Sequence, residues 1–502
     1  MKKDTFVTNS ILLTLSNLTT GVLGFIFSII LSRELGAEGM GLYGLIMPVY
    51  NLFICLICGG IITAISKVAA EYYAKHDYKN LKKTIKTTLF FNLLWSLLIV
   101  ALVFIFSYHI STYFIKDNRT LYALRLTCPA MIFISLSNTL KGYFYGTSKV
   151  GIPAFIDIFE KAIRILIIYA ISKMIDLASV STTVTAAYAA LCTGEFISFV
   201  LLYIYYKLDG RKLGFSNIKL EGRAQLLFNV LVISLPLCLN GFISTALSTV
   251  STLIVPRRLL ATGIEYSAAL SMIGKFTGMS LNIVFFPMIV IGSISTVLIP
   301  DLSQSLSKKD YYSVEKRISS VLRISFLLGI STLLICLVNG DNLGKMFFNR
   351  NDLGSYIKFA SLSAPLIFTA STTFGILNGL GKQNVILRNS LIISALELVL
   401  LYIFTGIASI NIYGYGITSI ITSALILVAN LQVIRKNIDI NFNFFSILVS
   451  ILLSFLLYYI MTFIANNFPN NLITYKNLLI IFIGFSLPFA AGFILHYSEK
   501  RG

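Results

Sequence analysis

Apolar residues fall into blocks of about twenty along almost the whole chain, and polar residues gather in short intervals between them. A helix rises 1.5 Å per residue, so about twenty apolar residues cross the ~30 Å hydrocarbon layer of a bilayer. Hydropathy read this way predicts fourteen spans, at 10–31, 43–65, 89–108, 121–140, 154–175, 184–206, 227–252, 268–299, 320–339, 356–379, 390–408, 414–434, 444–464 and 477–495. The eighth is long enough to break near Pro287. Residues 66–88 and 301–323, between spans, read as amphipathic helices lying on the membrane surface. The first block follows Lys2 and Lys3 as a signal peptide would, yet Ile11–Leu31 is too long for one and no small-residue cleavage site follows it. It reads as an uncleaved first span.

Composition agrees. Of 502 residues, 56% are hydrophobic and 12% charged, which excludes a water-soluble fold and points to an all-α integral membrane protein. The net charge of +19 is not spread evenly. Alternate loops and the two termini hold 26 Lys and Arg, the opposite loops only nine. The excess marks the cytoplasmic side, putting both termini of a multi-pass membrane protein in the cytoplasm. The charge is thereby explained without nucleic acid as a partner.

The chain carries a weak copy of itself. "RELGAEG" (33–39) follows the first span and "RRLLATG" (257–263) the seventh, 224 residues apart. Pro129 answers Pro365 at 236; Gly142 answers Gly379 and Glu160 answers Glu397 at 237. Six spans is an even number, so the halves enter the membrane in the same sense. This predicts two six-helix lobes in parallel repeat, 1–224 and 225–440, followed by two C-terminal helices and a cytoplasmic tail in 441–502, an arrangement typical of transporters.

Ionisable residues inside the spans mark the candidate site. "FIDIFEKAIRILIIYA" (155–170) sets Asp157, Glu160, Lys161 and Arg164 on one stripe of an otherwise apolar helix. Arg125, Glu195, Lys275, Lys358 and Glu397 complete the set. A charge at the bilayer centre costs about 3 kcal/mol or more, so these groups must face water or one another. Both readings stand: a hydrated path between the lobes, or helix-to-helix ion pairs of Glu160 with Lys161 or Arg164, and of Glu397 with Lys358. Arg33, Arg257 and Arg258, at the outer ends of spans one and seven, either reach lipid phosphates or grip an anionic substrate bidentately. Lys275 and Lys358 sit where lysines usually snorkel. The six cysteines lie in apolar stretches and the three histidines in loops or the tail, so no metal site or histidine-based triad can be built in the membrane. "NGLGK" (378–382) lacks the spacing of a nucleotide loop.

Together, "SRELGAEGMGLYGL", "VPRRLLATG", "KGYFYGTSKVGIP" ahead of the charged fifth span, and "VLIPDLSQ" closing the eighth resemble the multidrug/oligosaccharidyl-lipid/polysaccharide exporters. The resemblance covers essentially the whole chain. It is strongest to the polysaccharide transporter branch, which contains the stage V sporulation B proteins, relatives of the MurJ-like lipid II flippases. It implies a fold like that of the multidrug (MATE) and MurJ-like transporters, with a central cavity and alternating access. It further implies outward movement of undecaprenyl-pyrophosphate-linked saccharides, such as a peptidoglycan precursor, for the spore cortex among other fates. Arg33 matches the cavity arginine after the first span of MurJ-like proteins, Glu160 and Arg164 the E-x-x-x-R of the sporulation branch, and Arg257 with Arg258 the basic pair after span seven. A further arginine that MurJ-like flippases carry within the first span is missing from 10–31.

The expected binding residues are therefore Arg33, Asp157, Glu160, Lys161, Arg164, Glu195, Arg257, Arg258 and Glu397. The expected partners are the lipid-linked oligosaccharide, membrane lipids and cell-wall synthases. No cofactor is expected beyond a coupling cation, Na+ or H+, whose identity stays open. A cation-coupled multidrug exporter of the same superfamily is the alternative, set back by the two extra spans and the arginines. A membrane-embedded glycosyltransferase or polymerase using a lipid-linked donor would need carboxylates on a sizeable outer loop. Only Glu34 and Glu38 offer such a pair.

Overall fold

A computed structural model describes residues 2–174, 179–212, 220–438, 444–468 and 475–486. Helices make up nearly all of it, with no strand among the described residues. Ten of these helices are long and apolar enough to cross a membrane, or up to eleven if the bent pair Gly354–Ser361 and Ala364–Gly379 counts as one span. This count does not reach the fourteen spans expected. Part of the difference is that Leu12–Ala74 counts once although its 63 residues exceed the length of a single crossing. The helix Gly151–Met174, 24 residues long, falls outside the class because of the four ionisable residues at its centre, Asp157, Glu160, Lys161 and Arg164. Of the span expected at 477–495, only the part to Ser486 lies within the described residues.

The long helices break where the backbone requires it. Lys2–Cys58 is two helices meeting at Gly36, whose φ of 66° and ψ of −172° are open to glycine and to almost nothing else. The expected break near Pro287 is present: one helix ends at Phe285 and the next runs Met288–Ser307. Gly354–Ser361 and Ala364–Gly379 meet at 48°, with Pro365 in the first turn of the second, where its missing N–H costs nothing.

Contacts divide the chain into two units, Met1–Leu253 and Ile254–Gly502, with the boundary inside the helix Arg223–Ala261. In the first unit, Leu121–Gly146 is the central helix. Ile61–Ala74, Tyr78–Ile105 and Val180–Lys212 pack around it, and Gly151–Met174 packs on Val180–Lys212 and on Lys2–Cys58. In the second unit, Ala364–Gly379 holds the same place among Met288–Ser307, Tyr311–Phe348 and Tyr413–Asn437, while Gln383–Phe404 packs on Tyr413–Asn437.

The expected surface helices at 66–88 and 301–323 are instead pairs of longer helices joined by tight turns. In each, a left-handed residue ends one helix (His76, φ 56°; Lys309, φ 57°) and an aspartate caps the next. Asp77 Oδ1 accepts from the N–H of Asn80 at 3.1 Å, and Asp310 Oδ1 from that of Ser313 at 3.1 Å. These turns match at an offset of 233 residues. So do the turns at Ser148 (φ 59°) and Gly381 (φ 71°), down to the bonds Lys149 N–H to Phe144 O and Lys382 N–H to Leu377 O, both 2.8 Å.

The helix contacts repeat at the same offset. A Cβ on Gly146 would lie 2.5 Å from Ser66 O and 2.7 Å from Ala69 Cβ; one on Gly379 would lie 3.3 Å from Ile299 O and 3.0 Å from Leu302 Cβ. The repeat is real, but its register is 233 rather than the 236–237 read from sequence motifs. Gly142 corresponds to Gly375, Gly146 to Gly379, and Glu397 to Arg164 rather than to Glu160.

Candidate functional site: a buried ion cluster in the first unit

Three helices of the first unit bring six charges together. Gly151–Met174 supplies Asp157, Glu160, Lys161 and Arg164; Val180–Lys212 supplies Glu195; Leu121–Gly146 supplies Lys141. Residues four apart on a helix lie one above the other, so Arg164 Nη2 donates to Glu160 Oε1 within its own helix. The same Nη2 lies 3.4 Å from Glu195 Oε1 on the neighbouring helix. Lys161 Nζ stands 3.8 Å from Glu160 Oε2, and Lys141 Nζ pairs with Asp157 Oδ1 at 2.7 Å. Three cations against three anions leave the cluster neutral, which is how so many ionisable groups persist among apolar helices.

Packing holds the arrangement in place. Glu160 is 6% exposed. Gly194, next to Glu195, makes room for it, since a Cβ there would sit 2.7 Å from Glu160 Oε1. The Arg164 guanidinium lies 5.8 Å from the centre of the Phe27 ring. Among the described residues, Arg164 Nε and the Tyr50 hydroxyl are buried with no hydrogen-bond partner. An arginine placed between two carboxylates has more than one partner open to it. An anion can take the guanidinium, or a cation or proton can take a carboxylate.

Five of the nine expected site residues therefore meet here: Asp157, Glu160, Lys161, Arg164 and Glu195. Lys141 and Gly194 join them without having been expected; the "TGEF" sequence around Glu195 was the one available hint to Gly194. Arg33 is exposed, three residues before the break at Gly36. The other three belong to the second unit. Arg258 Nε donates to Tyr402 O at 2.9 Å with its guanidinium 4.0 Å above the Tyr402 ring, close against Gly406. Arg257 and Glu397 are half-buried.

The expected pairing of Glu397 with Lys358 does not occur. Lys358 Nζ goes to Asp341 Oδ2 at 2.6 Å, and Lys275 Nζ to Asp352 Oδ2 at 2.8 Å, each reaching an acid near a helix end. Arg125 Nε donates to Ser107 Oγ at 3.1 Å. All six cysteines are free, and no group of His, Cys, Asp and Glu fit for a metal is found among the described residues.

Residues 6–306 match the family described as polysaccharide biosynthesis protein. Stage V sporulation protein B of Bacillus subtilis (strain 168) is 25% identical over 445 residues, covering 88% of this chain and 86% of that one. Lipid II flippase MurJ of the same organism is 22% identical over 413 residues, covering 77% and 75%. Among solved structures, a lipid II flippase MurJ in an inward closed conformation superposes with a TM-score of 0.72 at 16% identity, covering 98% of this chain and all of that one. An inward-facing multidrug resistance MATE transporter of the MOP superfamily superposes with a TM-score of 0.65 at 15% identity, covering 84% and 94%. Of these, MurJ is a lipid II flippase and the MATE protein a multidrug resistance transporter. The chain is a multi-pass membrane protein that belongs to the polysaccharide biosynthesis protein family.

Proposed function

We propose that this chain is a flippase that carries an undecaprenyl-pyrophosphate-linked saccharide, a lipid II-like peptidoglycan precursor, from the inner to the outer leaflet by alternating access. The observation that carries the reading is Arg164, buried in a membrane helix between Glu160 and Glu195 with its Nε unspent. Its family relatives, a lipid II flippase among them, supply the substrate class. The excess of Lys and Arg on one side supports cytoplasmic termini. In this reading Arg33, Arg257 and Arg258 grip the pyrophosphate. The Glu160–Arg164–Glu195 cluster trades partners as the transporter changes state, with H+ or Na+ as the coupling ion at a carboxylate. The relationship to a stage V sporulation protein supports the spore cortex as one destination.

Complementation tests it. A host depleted of its essential lipid II flippase expresses this chain, and lipid II is assayed on the outer face of the membrane. Rescue that Arg33→Ala, Arg257→Ala or Glu160→Gln abolishes supports the proposal. Failure of correctly inserted wild-type protein to rescue sinks lipid II as substrate and favours another lipid-linked glycan. Cation-dependent drug efflux in its place would move the chain to the multidrug exporters, whose fold it shares.

A further inference from the structure

At the basic end of the first unit, Tyr78–Ile105 and Val180–Lys212 open a groove of about 590 Å³. Four cations stand along its rim: Lys82 and Lys86 from the first helix, Lys207 and Arg211 from the second. Among the described residues none of the four is paired with a carboxylate. The nearby acids are occupied: Asp209 by Lys149 and Tyr143, and Glu221 by the Tyr72 hydroxyl. Below the rim the walls turn apolar, with Phe90, Leu93, Phe199 and Tyr203. Lys207 Nζ lies 4.8 Å over the Tyr203 ring, so it stands at the junction of the two halves. The apolar half runs on into side chains with no protein cover. Phe90 is 64% exposed, Leu94 52% and Leu97 45%. A second groove of about 580 Å³ shares Lys82, Lys86 and Phe90, and adds Lys79, Lys83 and Arg223. The first groove has room beside Gly210, since a Cβ there would touch only Lys82 Cε, at 3.7 Å.

A strong, unneutralised positive rim above an apolar trough has the shape and polarity of one class of ligand, a phosphate head on hydrocarbon chains. We propose that this groove is a binding site for an anionic membrane phospholipid of the leaflet on the Lys/Arg-rich side. Its phosphate sits among Lys82, Lys86, Lys207 and Arg211, and an acyl chain lies along Phe90 and Tyr203. The transport reading is independent of this site. Among the described residues no carboxylate balances the four cations at this rim, and an anionic headgroup supplies the counter-charge.

The test is lipid retention by native mass spectrometry on the full chain, exchanged from detergent into phosphatidylglycerol or phosphatidylcholine. Wild type retains phosphatidylglycerol and not phosphatidylcholine. The triple variant Lys82→Gln, Lys207→Gln, Arg211→Gln binds phosphatidylglycerol about a hundredfold more weakly, the effect of three cations near a charged lipid. Gly210→Phe fills the groove without changing charge and also lowers retention. Lys308→Gln, Lys309→Gln, Lys316→Gln in the second unit removes the same charge and leaves retention intact. Unfolding followed by Trp95 fluorescence, without added lipid, checks that each variant is folded. Equal retention by the groove and control triples would overturn the site. Displacement of phosphatidylglycerol by undecaprenyl pyrophosphate would also overturn it, assigning the groove to a polyprenyl ligand.

Discussion

Replacing Arg164 with Met removes the one cation that two buried carboxylates share. In the wild-type protein Glu160 is 6% exposed, and the Arg164 and Glu195 side chains are each 13% exposed. After the change, Glu160 keeps only Lys161, 3.8 Å away and itself one-third exposed, while Lys141 stays with Asp157. Breaking a buried pair by removing one partner costs about 3–5 kcal/mol, whereas replacing both partners with uncharged groups is close to neutral. At roughly 2 °C per kcal/mol for a unit of about 250 residues, Arg164→Met lowers the melting temperature by about 6–10 °C. Glu160→Gln, Glu195→Gln combined with Arg164→Met recovers most of that loss. The chain's single tryptophan, Trp95, lies in the first unit with its indole N–H on Leu56 O at 3.3 Å, so its fluorescence follows unfolding where the change is made. If Arg164→Met unfolds within about 1 °C of wild type, far below the cost of stranding buried charge, the guanidinium is not held between the carboxylates and the cluster argument fails. A triple variant no more stable than the single one would refute it from the other side.

Gly146→Ala forces a methyl to within 2.5 Å of a backbone oxygen, and Gly379→Ala meets mainly a leucine side chain at 3.0 Å. The first therefore costs about 1–3 kcal/mol, as overpacking does, and the second less, measured by thermal unfolding of each variant. Gly36→Ala, at a φ and ψ reserved for glycine, loses about 1–3 kcal/mol, and the same assay reads it. At the end of Tyr311–Phe348, Arg350 donates to Asp352 at 2.8 and 2.7 Å. That bond, with Lys275 beyond it and against a smaller opposing effect of burial, holds the Asp352 carboxyl well below the usual carboxylate range. A depressed acid stabilises the fold above its unfolded value of about 4 and loses that contribution as pH falls through the lower folded one. Asp352→Asn is thus less stable than wild type at pH 7, by under about 1 kcal/mol because the pair is partly exposed. The gap closes in melting curves taken below about pH 4.

Which features were legible in the chain follows from the physics that writes them. Twenty-residue apolar blocks, an excess of Lys and Arg in alternate loops, and a polar stripe at helical spacing are local patterns. They determined a multi-pass all-helical membrane protein with a duplicated plan, and they singled out Asp157, Glu160, Lys161, Arg164 and Glu195. The pair Glu160–Arg164 was readable because four residues make about one turn of a single helix.

The same periodicity hid the register of the repeat. A slip of four residues returns to nearly the same helix face, so glycine and glutamate motifs matched almost as well at 237 as at the true 233. Only the left-handed turn residues, His76 with Lys309 and Ser148 with Gly381, break that degeneracy, because a turn cannot slide along a helix. Tertiary structure likewise decided that Lys358 takes Asp341 rather than Glu397, that Glu195 shares Arg164, and that Lys82, Lys86, Lys207 and Arg211 edge one groove. Each of these depends on how closely two helices approach, a distance set by small residues such as Gly146 and Gly194 at the crossing and written in no single segment of the chain.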